Sequence, residues 1–195
     1  MANIFNKLEL EAFKAGITPR TAESRDWFRR KAQQLRRVNR NEIMKEEPVE
    51  LQGNQVIGSM FMFFYDPKHK DTLPYYDSFP LVIPIGPADK GFIGLNLHYI
   101  PPMLRAKLLD SLMDITNNDK FDNTTKFNLS YRMLKSAQKY KWFKPCVKHY
   151  LNSQVRSRFA RVPATEWEIA AFLPTADFQK ASNSKVYADS KRMLR

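Results

Sequence analysis

QVIGSMFMFFYDPKHKDTLPYYDSFPLVIPIGPADKGFIGLNLHYIPP, residues 55–102, decides the fold class. Three segments within it, Gln55–Tyr65, Phe79–Ile85 and Gly91–Ile100, are rich in β-branched and aromatic residues and read as strands. Asp66-Pro67, Leu73-Pro74 and Gly86-Pro87 punctuate them as turns. The last two strands lie close enough to form a hairpin across Gly86–Lys90. Met60–Tyr65 lacks clean alternation, which predicts burial on both faces. Gly91 and Gly94 sit inside a strand, where they mark a bulge or a close backbone contact.

Working outward, Pro101-Pro102 opens a helix whose Leu104, Leu108, Leu112 and Ile115 form an apolar stripe. That stripe needs a partner surface, and the sheet supplies one. Asn117–Thr125 reads as a polar loop, Asn128–Tyr140 as another helix stopped before Pro145, and the chain from Ser184 as a final helix. Upstream, Ile4, Phe5, Leu8 and Phe13 are spaced for one face of a short helix that Gly16 ends. Thr18-Pro19 then predicts an N-cap and first helical residue, with the helix running to about Arg40. The expected fold class is α+β: a small antiparallel sheet or partial barrel over about 55–100, flanked by helices and basic arms. Its expected organisation is a basic helical arm over 1–47, a β-rich core with a packed helix over 48–118, and a basic helical region over 119–195.

The charge is distributed unevenly. The 195-residue chain carries a net charge of +12. Between Asp122 and Glu166 there is no acidic residue, yet that gap holds Lys126, Arg132, Lys135, Lys139, Lys141, Lys144, Lys148, Arg156, Arg158 and Arg161. A field of this kind attracts phosphate chains or acidic protein surfaces. At 100° per residue, Phe28, Ala32, Leu35 and Val38 share one side of the second helix. Arg25, Arg29, Arg36 and Arg40 fall together on another, with Arg30 and Arg37 beside them. A solvated basic face and a specific anion contact are both open for this stripe; guanidinium suits phosphate geometry. Together with Arg132, Lys135, Lys139, Lys141, Lys144, Lys148, Arg156, Arg158 and Arg161, these six arginines are the expected polyanion contacts. The acid-free segment interleaves Phe127, Tyr131, Tyr140, Trp142, Phe143, Tyr150 and Phe159, rings that either anchor a core or stack on bases.

Catalytic signals are weak by comparison. No cluster of glycines precedes a helix as phosphate loops require. His69, His98 and His149 are isolated, and His98 reads as a packed, satisfied ring. Asp66, His69 and Asp71 share a loop with lysines, a poor cation site. Asp114, Asp119 and Asp122 sit where caps and turns want aspartate, though with a metal they would furnish a nuclease. Cys146 and His149 are near in sequence without an orienting third group. One cysteine permits reducing surroundings, and the apolar run Met60–Tyr65 is too short to span a bilayer. The expectation is a soluble, non-enzymatic binding protein without cofactor, catalytic residue, metal or membrane partner.

YDPKHKDTLPYYDSFPLVIPI, GFIGLNLHYIPP and the later EWEIAAFLPTADFQKAS resemble a group of uncharacterised or virion-associated proteins encoded by contractile-tailed (myovirus-type) bacteriophages. The resemblance covers the middle of the chain and part of its C-terminal third, and it transfers no site residue. It implies a structural or assembly component, in the virion or the infected cell's cytoplasm. Its basic surface would meet DNA or an acidic neighbouring virion subunit, in an oligomeric or assembly-bound state. A metal-dependent nuclease or other DNA-processing enzyme, and a purely protein-binding subunit, are the alternatives.

Overall fold

Sheet and helices share one core in the computed structural model, which describes residues 4–19, 21–35, 38–45, 51–52, 57–116, 118–137 and 141–193. Helix α1 (Ile4–Lys14) buries Phe5, Leu8 and Ala12. Gly16 closes it in the left-handed region at φ 69°, a conformation open to glycine without a Cβ penalty. Helix α2 (Ala22–Gln34) starts at Thr21 rather than Thr18. Ser24 decides this: the Thr21 hydroxyl accepts from its backbone N–H while the Ser24 hydroxyl accepts from the Thr21 N–H, each at 3.0 Å.

The second helix ends earlier than expected. Leu35 is extended at ψ 112°, and a separate helix α3 spans Arg40–Lys45. Arg40 donates to the carbonyls of Thr175 (2.8 Å) and Ala176 (2.7 Å), so tertiary bonds hold the chain in its new direction. The stripe of Arg25, Arg29, Arg36 and Arg40 therefore does not lie on one continuous helix.

The strands are β1 (Leu51–Gln52), β2 (Met60–Met62), β3 (Tyr76–Asp77), β4 (Leu81–Ala88), β5 (Gly91–Asn96), β6 (Val147–Leu151), β7 (Phe159–Val162) and β8 (Phe178–Gln179). A six-stranded antiparallel sheet has the order β1-β7-β2-β4-β5-β6, and β3 pairs with β8 separately. The expected first strand shrinks to Met60–Met62, and Gln55 and Val56 lie outside the described residues. The third stops at Asn96, whose side chain accepts from the His98 N–H and turns the chain into a 3-10 turn, Leu97–Tyr99. The β4–β5 hairpin is tighter than expected, with Ala88 paired to Gly91. Two strands, β6 and β7, come from the acid-free segment.

Both faces of the sheet are buried. Met60, Met62, Leu81, Ile83, Leu95, Ala160 and Val162 join the core that includes helical side chains. Helix α4 (Pro102–Thr116) gives that core Leu108, Leu109 and Leu112, α5 (Asn123–Ala137) gives Leu134, and α6 (Trp167–Phe172) gives Trp167, Ile169 and Phe172. Helix α7 (Asn183–Arg192) adds Val186. On the other face Phe61, Phe63, Tyr65, Val82, Phe92, Tyr150 and Phe159 make a second, largely aromatic cluster. Their burial is worth roughly 1.5–3 kcal/mol each.

These rings require strong curvature. Four strand spacings would hold β6 and β7 roughly 19 Å apart in a flat sheet. Yet the Phe63 centroid lies 5.5 Å from Tyr150 on β6 and 4.7 Å from Phe159 on β7. The sheet curls around its aromatic face, helped by a register shift between Pro84 and Gly86 and an isolated bridge from Tyr65 to Val155. Close approach explains the two strand glycines: a Cβ on Gly91 would collide with the Tyr150 carbonyl, and one on Gly94 with a Val82 methyl. The architecture is α+β, with an open, curled antiparallel sheet.

One buried carboxylate is poorly accommodated. Glu166, 4% exposed, is the N-cap residue of α6, and among the described residues its Oε2 has no hydrogen-bond partner. Burial first, then the nearby Glu9 carboxylate, pushes it up to about 7. The native state thus holds a proton that the unfolded chain releases at about 4.5. This contribution to stability is fully present below that value and is lost as pH rises through about 7. Glu166→Gln should remove the loss and exceed the parent by about 1–2 kcal/mol at pH 8, with no gain at pH 4, measured by urea unfolding.

Candidate nucleic-acid interface

A buried polar hub joins the two sheets. Asp77 on β3 is 4% exposed and accepts four hydrogen bonds. Its Oδ1 takes the backbone N–H groups of Phe79 and Asp177, each at 3.1 Å. Its Oδ2 takes the Asn96 amide at 3.1 Å and His98 Nδ1 at 2.7 Å. Against the opposing effect of burial, these donors hold the carboxyl below its ordinary range, so it is ionised. Burial pushes His98 down, so its ring is neutral, donating through Nδ1 and accepting the Thr175 hydroxyl at Nε2, 3.1 Å away. Acid, imidazole and hydroxyl are connected as in a hydrolase triad. Here His98 and Thr175 are both 0% exposed, and no substrate atom reaches them. The hub is a structural joint.

Arg105, 2% exposed, is a second fixed point. It donates to the carbonyls of Ile100 (2.8 Å), Ala171 (3.1 Å) and His98 (3.3 Å) and to the Tyr187 hydroxyl (2.7 Å). One guanidinium thereby ties α4, α6 and α7 to the turn after β5.

Beside the Asp77 hub lies a cavity of about 170 Å³. Tyr65, Tyr75, Tyr76 and Tyr99 contribute to its wall, with Asp77, Asn96 and Tyr150 from the buried network. Lys148 and His149 line it from β6. The Lys148 ammonium sits 3.9 Å from the Tyr99 ring centroid, and burial pushes its pKa down. Among the described residues no carboxylate pairs with it. A desolvated cation without a counter-ion, set among tyrosines, is suited to an anionic aromatic ligand. The pocket tyrosines were missed in the sequence reading, although YYD at 75–77 placed two of them beside the hub aspartate.

The expected polyanion contacts divide into several environments. Arg25 is tied to Asp110 (2.8 Å) and Glu168 (3.8 Å), and Arg40 to Asp177 (3.4 Å) as well as its two carbonyls. Arg29 pairs with Asp26 at 3.1 Å and touches the Met103 sulfur. Arg30 is exposed on α2. Arg132 and Lys135 are exposed on α5, with the Lys135 ammonium 5.6 Å from the Tyr131 ring. Lys144 is exposed on the 3-10 turn Lys141–Cys146, which packs against α5, β5 and β6. Arg156 reaches Asp66 at 3.7 Å and the Gln154 side chain. Arg158 and Arg161 are exposed before and on β7. Arg36, Arg37 and Lys139 lie outside the described residues, as does the Lys141 side chain. So Arg132, Lys135, Lys144 and Lys148 come from neighbouring elements, whereas Arg25 and Arg40 are committed within the fold.

Most of the other chemical candidates are engaged within the fold. Cys146 is buried and pushed up to about 12, too high for a thiolate nucleophile. His149 bonds the Asp89 carbonyl through Nε2 at 3.0 Å. Asp122 accepts the Thr125 N–H at 2.7 Å at the start of α5, while Asp114 and Asp119 are exposed. Asp66 is held by Lys70 at 2.9 Å. Of the acid-free segment's rings, Tyr150 and Phe159 are core and Phe143 packs against it; Tyr140 and the side chains of Phe127 and Trp142 lie outside the described residues. Among the described residues no helix is long and apolar enough to cross a membrane.

Comparison with curated proteins and with solved structures finds no match. A family match, by contrast, covers residues 5–194, nearly the whole chain. It takes in the helices, the curled sheet and the cavity together, and agrees with the resemblance to phage proteins. The chain belongs to the phage T4 terminal DNA protecting protein family.

Proposed function

We propose that this protein binds the ends of duplex DNA and shields them, without itself acting on the DNA chemically. The family description names terminal DNA protection, and the cation distribution supplies the means. The observation that carries the reading is the set Arg132, Lys135 and Lys144, exposed on adjacent elements and free of carboxylate partners among the described residues. Phosphates are the natural counter-charges for such a set, because contact releases the condensed ions around DNA. Arg30, Arg156 and Arg158 extend the contact; Arg25 and Arg40 serve the fold. In this reading the protein travels with packaged DNA in the virion beside other virion subunits, or guards DNA in the infected cell.

The test is protection of linear duplex DNA from an exonuclease that initiates both at duplex ends and at nicks. Saturating protein should leave most of the linear substrate intact while a single-strand nick in a circle is digested as before. Linear DNA degraded at the unprotected rate would defeat the proposal. Cleavage of DNA by the purified chain on adding a divalent metal would favour the nuclease reading instead.

A further inference from the structure

We infer that the tyrosine-lined cavity beside β6 is a seat for the terminal nucleotide of the duplex, taking its phosphate on Lys148 and its base against tyrosine rings. This deepens the proposed DNA-end reading and rests on it for the source of the nucleotide. Three observations support it. The cavity, at about 170 Å³, is smaller than the roughly 300–1,000 Å³ of sites for drug-sized ligands, and suits one ring system. Its wall combines half-buried Tyr75 and Tyr76 with Tyr99, and every base offers a π-face to such rings. Its cation has no competing carboxylate among the described residues, while the Asp77 carboxylate that also lines it is saturated by four donors.

Placement supports the same occupant. Lys148 lies on the edge strand β6, and the turn carrying Lys144 packs against that strand and against α5. Phosphates along a duplex would meet Arg132, Lys135 and Lys144, and the strand end would reach Lys148. Internal nucleotides, stacked and paired on both sides, cannot enter a single-ring pocket without being flipped, which costs unstacking and unpairing. A terminal nucleotide loses one stacking neighbour fewer. The pocket therefore discriminates ends from duplex interior, which a basic surface alone cannot do.

The experiment compares full-length protein with Lys148→Gln and Tyr76→Leu, both checked for unchanged thermal unfolding. Two internally labelled duplexes of one sequence are used, one closed by a hairpin at a single end and one closed at both. Wild type should prefer the open end by about tenfold, the scale of one stacked base. Each variant should lose that preference while binding the closed duplex within about twofold of wild type. In parallel, dAMP is titrated with tyrosine fluorescence as the readout, and both variants should weaken it. An end preference that survives both substitutions overturns the inference, as does dAMP binding that neither weakens or its absence in wild type. If neither duplex binds but dAMP does, and Lys148→Gln abolishes it, end shielding fails and the nucleotide pocket stands.

Discussion

Asp77→Ala should cost about 3–5 kcal/mol of stability. Removing the carboxylate strands four donors at once: the N–H groups of Phe79 and Asp177, the Asn96 amide and His98 Nδ1. Each buried donor left without a partner costs its desolvation, about 1–3 kcal/mol, and relaxation recovers part of the sum. The position also pairs with Phe178, so the β3–β8 ribbon should loosen. Asp77→Asn is the informative partner. An amide oxygen still serves the two backbone N–H groups, and a change of His98 tautomer accommodates the introduced NH₂, so about 1–2 kcal/mol is expected. Urea unfolding ranks the two, and equal losses would contradict the donor count. The pH dependence has a definite sign. With Asp77 lowered and His98 lowered, stability is present at neutral pH. It falls first as pH drops below the unfolded histidine value, about 6.5, and again below the unfolded aspartate value, about 3.9. The second decline should be absent in Asp77→Asn.

That hub also shows why the sequence revealed the frame better than the site. Apolar runs at Met60–Tyr65 and Phe79–Ile85, the α4 stripe and the Gly16 stop are local signals, and each produced its element. Burial of His98 followed from its apolar neighbours in LNLHYI. The partners of His98 did not: Asp77 lies 21 residues away and Thr175 77 residues away. Strands β6 and β7 were hidden for a related reason. VKHYL and FARV each set a basic residue inside a short apolar run, which blurs the strand pattern, and their pairing to Gly91–Leu95 and Met60–Met62 joins segments dozens of residues apart. Composition marked the segment as basic, while register made it the edge and the middle of a sheet. The arginine stripe failed differently. A 100° projection presumes one helix, and the break at Leu35 sent Arg40 to a different surface.

The consequence for binding is measurable. Arg132→Ala, Lys135→Ala and Lys144→Ala combined should weaken binding to duplex DNA by about 3 kcal/mol, on the order of 100-fold, if each cation contributes a charge-assisted contact. More specifically, the slope of log K against log salt should become shallower by about 2–3, because each phosphate contact releases roughly 0.9 of a counter-ion. Arg40→Ala makes the contrast. Its guanidinium is occupied by Thr175, Ala176 and Asp177, so it should lower stability by about 1–2 kcal/mol and leave the salt slope unchanged. Anisotropy across a salt series measures both. A triple variant with the parent's slope would remove α5 and its neighbouring turn from the interface and shift the contact to Arg30 or to Arg156 and Arg158. A slope altered by Arg40→Ala alone would mean that its bonds to the Thr175–Asp177 segment open on DNA. The two variants separate cations that face the polyanion from one that holds the chain in shape, a distinction net charge cannot make.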